Sequence, residues 1–129
     1  MKIKISRLDS KFSNYIRWVK DKGICQRCRR QYSPPSQGAH CSHFWGRARK
    51  SVRYNVDNAC MLCYGCHMYF TGQPEEHRAF MLRRLGSIKY NLLMQEANHP
   101  KRPDYKAVEI WLDLELGKAK IVGTIIGSR

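Results

Sequence analysis

Six cysteines and five histidines are the residues of this chain that could hold a metal or move a proton. Cys25-Gln26-Arg27-Cys28 is one C-x-x-C, and Cys63-Tyr64-Gly65-Cys66 is another. Two such knuckles supply four thiolates, the tetrahedral set that closes a structural zinc site. Zinc suits a small chain, because its binding free energy, roughly 10–16 kcal/mol in zinc-finger peptides, adds to folding. A redox dithiol would account for one C-x-x-C but not for two. Cys60-Met61-Leu62-Cys63 is also a C-x-x-C, so the spacing alone leaves the second pair's register open. Cys41 and Cys60 read as small buried residues outside the site.

The histidines are His40, His43, His67, His77 and His99. His43 follows the first knuckle, and His67 directly follows Cys66. Asn58 lies between them, in the segment Arg53-Tyr54-Asn55-Val56-Asp57-Asn58. The order C-x-x-C, Ser42-His43, Asn58, C-x-x-C-His67 resembles the HNH endonuclease superfamily, with its ββα-metal fold. Over residues 24–86 it is most similar to the phage recombination nucleases of the lambda NinG (Rap) type, which also carry a later Leu/Ile-Gly, here Leu85-Gly86.

That resemblance implies a site. It places Cys63 and Cys66 with Cys25 and Cys28 on the zinc and leaves Cys60 aside. It implies that His43 takes the proton of the attacking water, work suited to an imidazole titrating near neutral pH. It implies a divalent cation, Mg²⁺ or Mn²⁺, that polarises the phosphate. His67 is the ligand candidate on the helix, and Asn58 either orients the loop or binds the cation. Adjacent helical residues point about 100° apart, so Cys66 can face the zinc while His67 faces the reaction groove. The pattern departs from many relatives in two places. Ser42, a poor ligand, stands where an Asp or His is usual, and Thr71 stands where some carry a further His. His40 is a possible substitute ligand, although strand alternation would put His40 and His43 on opposite faces. His77 and His99 carry no pattern and read as solvated or turn residues.

The charge supports a polyanion as partner. Lys and Arg number 24 against 10 Asp and Glu, a formal net charge of +14 over 129 residues. Residues 1–53 hold fourteen of the cations and only Asp9 and Asp21 as acids. Arg47, Arg49, Lys50 and Arg53 fall between His43 and Asn58, where they would meet the scissile phosphate of DNA. The resemblance implies that Arg47 and Arg53 matter most. Phe44, Trp45 and Tyr54 are expected to pack beneath that loop.

The elements that must position these groups follow from pattern. Ile3 and Ile5 suggest a short strand or arm. Asp9-Ser10 can cap a helix running to about Lys22, with Gly23 as its stop. Ala39–Trp45 reads as a strand, 46–56 as a basic connection, and Leu62–Phe70 as the second knuckle opening a helix that ends near Gly72. Pro74 begins a helix to Leu85. Ser87 can cap another to about Asn98, and Asp104 a last one to Leu116, stopped by Gly117. That last helix is apolar on more than one face, through Val108, Ile110, Trp111, Leu112 and Leu114, which suits a second subunit as well as its own core. The tail Ile121–Ile126 is β-prone and could pair with Ile3–Ile5.

The fold class expected is therefore α+β: a small ββα-metal core stapled by a four-cysteine zinc site, with flanking N- and C-terminal helices. The segments are 1–23, a basic arm and helix; 24–86, the nuclease core; and 87–129, a helical extension with an apolar tail. No apolar run is long enough to span a bilayer and the N-terminus lacks a signal core, so a cytoplasmic chain is expected, in the host cytoplasm if phage-encoded. The function expected is metal-dependent DNA cleavage, with branched DNA of the Holliday-junction type as substrate and a homodimer as the possible assembly. The alternatives are a zinc-stapled DNA-binding protein that does not cut, and an HNH nuclease without junction preference. A zinc deaminase fares worst, because His-x-Glu and Pro-Cys-x-x-Cys are both missing.

Overall fold

Ser6, not Asp9-Ser10, starts the first helix. The Asp9 N–H donates to Ser6 Oγ at 3.2 Å, and the Ser6 N–H donates to Asp9 Oδ2 at 2.8 Å. This reciprocal capping box makes Asp9 the third residue of α1, Arg7–Asn14. The computed structural model describes residues 5–121 of the chain, without the side chain of Ile121. The expected pairing of Ile121–Ile126 with Ile3–Ile5 lies outside the described residues. Beyond Asn14 the helix widens into π-helical turns over Tyr15–Lys20. It ends where Lys22 and Gly23 take positive φ, 55° and 74°. Gly23 has a second reason to be glycine: a Cβ there would collide with the Tyr32 carbonyl oxygen.

Strands β1, Ala39–His43, and β2, Ala59–Cys63, pair antiparallel with Ala39 opposite Cys63 and His43 opposite Ala59. β1 ends two residues before the strand read from the sequence. The expected ββα core implies a second strand, but no sequence pattern places it at Ala59–Cys63. All five of its residues are buried, so it shows no period by which to recognise it. Helix α2, Tyr64–Gly72, follows β2 without a loop. Helices α3, Pro74–Leu85, and α4, Ser87–Ala97, meet at Gly86, whose φ is 82°. Ser87 is the first residue of α4 and gives it no side-chain cap. Asp104 does cap α5, accepting the Ala107 N–H at 3.0 Å. Helix α5, Tyr105–Ile121, runs straight through Gly117, the expected stop. A helical glycine costs about 1 kcal/mol relative to alanine, and burial of Leu112 and Ala119 on either side offsets it.

The sheet divides the interior into two faces, giving an α+β architecture. Cys60 and Leu62 pack with Cys66 and Phe70 of α2, Phe80 and Met81 of α3, and Tyr90 and Leu93 of α4. On the other face Ala59 packs with Phe12, Ile16 and Leu112, and Met61 packs with Trp18, Ala39 and Ala119. Helix α1 with its continuation and α5 thus pack together on one side of the sheet supplied by 24–86, while α4 packs on the other. No helix of the described residues is long and apolar enough to cross a membrane.

One buried ion pair ties α1 to the loop between the strands. Arg53 donates from Nε to Asp9 Oδ1 at 3.0 Å and from Nη2 to Oδ2 at 2.7 Å. Asp9 is only 3% exposed. Burial alone would raise its pKa, but the bonds from Arg53 and Ser6 outweigh this and bring it from 3.8 to about 2. Asp9 therefore contributes stability that is complete above about pH 4 and is lost as the pH falls toward 2. Asp9→Ala should cost roughly 3–5 kcal/mol in urea unfolding, because it leaves Arg53 buried without its carboxylate. The same variant should also lose the acid-dependent part of the wild-type stability curve between those pH values.

Candidate metal and histidine site

The first knuckle is a tight loop between the end of the α1 continuation and β1. Ile24 bridges to Gln31, the Cys25 N–H donates to Arg30 O at 2.9 Å, and the Arg29 N–H donates to Cys25 O at 2.9 Å. Arg29 turns the chain with φ 69°. The Gln26 N–H donates to Met61 O at 2.9 Å, which lays the loop against β2. The second knuckle spans the joint between β2 and α2: Cys63 ends the strand and Cys66 lies in the helix's first turn.

These two loops bring Cys25, Cys28, Cys63 and Cys66 together, with all four Sγ atoms within 4.8 Å of one another. Cys28 Sγ and Cys63 Sγ are 3.8 Å apart. A tetrahedron with Zn–S of about 2.3 Å has an edge of about 3.8 Å, so the pair already fits one edge. Burial opposes ionisation of Cys25, yet the N–H groups of Cys28, Cys63 and Arg27 bring its pKa down to about 7. The four cysteines could hold a structural metal such as zinc. Cys60 lies outside the set, which resolves the register. Burial pushes Cys41 and Cys60 up to about 12, so both stay protonated bystanders.

His40 on β1 and His67 on α2 meet across the same joint, Nδ1 to Nδ1 at 2.9 Å with rings at 83°. His40 Nε2 faces the Gln37 carbonyl at 3.1 Å. A carbonyl can only accept, so Nε2 carries the proton and His40 Nδ1 offers its lone pair. A backbone carbonyl on the far nitrogen is also how metal-ligating imidazoles are held. Burial lowers the His67 pKa, and the charges of His40 and Arg47 lower it further. The exposed Tyr64 ring stands edge-on to His40 at 5.8 Å.

His43 follows the same rule on the opposite face. Its Nε2 donates to the Arg53 carbonyl at 3.2 Å, its ring lies 5.6 Å from Phe12, and its Nδ1 is buried without a hydrogen-bond partner. Burial, then the charge of Arg47, brings its pKa from 6.5 to about 4 despite the Arg53 carbonyl and Asp9. Arg47 thus bears on both His43 and His67. Its Nε lies 3.8 Å from Asp9 Oδ1 without a hydrogen bond.

One expected role narrows, that of Asn58, and two change, those of Arg53 and Arg49. Asn58 is 0% exposed; its Oδ1 accepts the Trp45 N–H at 2.8 Å, and its Nδ2 donates to Trp45 O and Val52 O. It orients the loop and is not presented to a cation. Arg53 is engaged by Asp9 and holds His43 through its own carbonyl, so it is a positioning group and not an open phosphate clamp. Arg49 donates to Ala97 O at 3.1 Å and Asn98 Oδ1 at 2.9 Å, and lies over Trp45 at 4.8 Å. It pins the loop to the end of α4. Lys50 is exposed.

His77, expected to be solvated, is stacked on Phe70 at 4.7 Å and meets Phe44 edge-on at 4.9 Å. Burial brings its pKa down to about 4. Asp9 is the residue sequence reasoning missed. The serine three positions before it was the available signal for the cap, but nothing local marks the bond to Arg53.

Comparison of the chain with protein-family models, with curated proteins and with solved structures finds no match.

Two outcomes test this geometry. Purified protein should carry about one zinc per chain by elemental analysis, Cys63→Ser should lose it, and Cys60→Ala should keep it. Histidine NMR should show the His43 imidazole neutral down to about pH 4, well below the ordinary 6.5.

Proposed function

We propose that the chain is a metal-dependent DNA endonuclease of the HNH type. The observation that carries this reading is the convergence of His40 and His67 at 2.9 Å, on a strand–strand–helix unit whose cysteines could hold a staple. In that reading His40 and His67 would hold a divalent cation, which would supply charge neutralisation for the phosphate and the departing oxygen. Two nitrogen donors suit Mn²⁺ better than Mg²⁺, which prefers oxygen ligands and keeps its waters. His43 accepts the proton of the attacking water at Nδ1, since its Nε2–H is committed to the Arg53 carbonyl. Its pKa of about 4 keeps it neutral throughout the neutral range, but it makes His43 a weaker base than the imidazole titrating near neutral pH that the sequence leads one to expect. Arg47 grips the phosphate, being the cation that bears on both histidine positions. The charge of +14 supports a nucleic-acid partner. Branched DNA, a four-way junction in particular, is the substrate form suggested by the likeness to recombination nucleases, and a homodimer would suit its paired cuts.

One observation favours a second reading, a DNA-binding protein that does not cut. Alternation along β1 turns His43 toward Phe12, away from the His40–His67 pair.

Cleavage assays separate the two. Plasmid and four-way-junction DNA should be cut with Mn²⁺ and less well with Mg²⁺. His43→Ala should lower the rate by about 10²-fold or more while zinc content and far-UV dichroism stay unchanged. A wild-type rate in that variant would remove His43 from the mechanism. Tight binding without cutting under any divalent cation would support the second reading.

A further inference from the structure

Two arginines of the loop between the strands, Arg49 and Arg53, are committed to partners within the fold, and the tether made by Arg49 builds a different cationic surface. Arg49 reaches the end of α4 through Ala97 O and Asn98 Oδ1. Ser51 Oγ donates to Glu96 O at 2.6 Å. These two tethers satisfy carbonyls that a helix C-terminus leaves open. They also fix Lys50, which lies between them, against the linker that joins α4 to α5.

Two adjoining hollows of about 860 and 430 Å³ open along this seam. Ser51, His99, Lys101 and Arg102 line both, and Lys50 lines the smaller. Pro100 and Pro103 bracket Lys101 and Arg102, so the backbone carrying both cations has fixed φ on either side. The Lys101 N–H donates to His99 O at 2.7 Å, which tightens the turn further. Lys50, Lys101 and Arg102 are exposed and make no ion pair among the described residues. Two acids also line the hollow: Glu96 Oε1 accepts from Asn55 Nδ2 at 2.8 Å, and Asp104 caps α5, so neither is drawn into an ion pair with these cations. The hollow therefore presents an excess of cations on a stiff backbone, Arg49, Lys50, Lys101 and Arg102 against Glu96 and Asp104, and it is continuous with the loop whose Arg53 carbonyl holds His43.

We propose that this groove, carried by Lys50, Lys101 and Arg102, is a phosphate track for the DNA strand that runs away from the histidine site. The proposal rests on the reading of the chain as a DNA-acting protein, and it moves most of the backbone contact from the arginine loop to the α4–α5 linker. A recurrent polyanion fits the groove because its cations lie along one seam, outnumber the carboxylates there, and are held in no ion pair among the described residues. Each phosphate neutralised releases condensed counterions, so the contacts are visible in the salt dependence of binding.

The test is fluorescence-anisotropy titration of a labelled 30-base-pair DNA duplex with the full chain in EDTA, across a salt series. The combined variant Lys50→Ala/Lys101→Ala/Arg102→Ala should bind more weakly, with a log K against log salt slope shallower by about 2 to 3. The control Lys89→Ala/Lys106→Ala/Lys120→Ala removes three equally exposed cations elsewhere and should leave the slope within about 1 of wild type. An unchanged slope in the groove variant, or an equal loss in the control, overturns the track. Melting curves on both variants verify that the fold is retained; the substituted side chains make no hydrogen bond or ion pair among the described residues. Cleavage of plasmid with Mn²⁺ is read separately. Groove-dependent binding without cutting keeps the track and removes the hydrolytic reading, whereas cutting with a groove-independent slope does the reverse.

Discussion

A carboxylate and a guanidinium taken out of water together must satisfy each other, because neither can be left alone at tolerable cost. Asp9 and Arg53 meet that condition with two parallel hydrogen bonds, the geometry that Arg provides and Lys does not. The pair joins the start of α1 to the loop between the strands, 44 residues later in the chain. Because Arg53 is fixed, its carbonyl is fixed, and that carbonyl sets the tautomer and the direction of His43. The loop between the strands is then held at three further points: Asn58 on Trp45 and Val52, Arg49 on the end of α4, and Ser51 beside it. A connection that reads as basic and solvated is in fact cross-linked to two helices.

The two-stranded sheet separates two kinds of chemistry. One face carries His40 toward α2, where His67 meets it. The other carries His43 toward α1. Arg47, at the rim, bears electrostatically on both. The four cysteines could fix the β2–α2 joint from below, so the position of His67 depends on sulfur chemistry it does not itself share.

Some of this was legible in the sequence, and the reasons differ residue by residue. The cysteine knuckles were legible because ligand spacing is local; only the rival pairing with Cys60 needed the fold to settle it. Helix α3 was legible from Pro74 and the acids behind it. Strand β2 was not, because Ala59–Cys63 is buried on both faces and carries no alternation. Gly117 misled as a helix stop because its cost is small beside the packing of Leu112 and Ala119. His77 looked bland because Phe44 and Phe70, which bury it, lie in other elements. The partner of Asp9 is equally remote, and the roles of Arg49 and Arg53 depend on contacts with α4 and α1 that no short window contains. Long-range partners set what a charged residue does, whereas its presence and sign can be read directly.

The direct passage from β2 into α2 fixes the rotational phase of that helix. Cys66 belongs to the cysteine cluster, and its neighbour His67 belongs to the histidine pair, on a different side of the helix. One residue added between Cys63 and Cys66 would turn everything beyond it by about 100°, moving Cys66 away from the cluster and His67 away from His40 together. Gly65, at the middle of that stretch, has open space where a Cβ would stand. Side-chain variety is therefore permitted in this joint while a change of its length is not. The four residues from Cys63 to Cys66 act as a length standard, coupling the cysteine cluster to the histidine pair through the pitch of a helix.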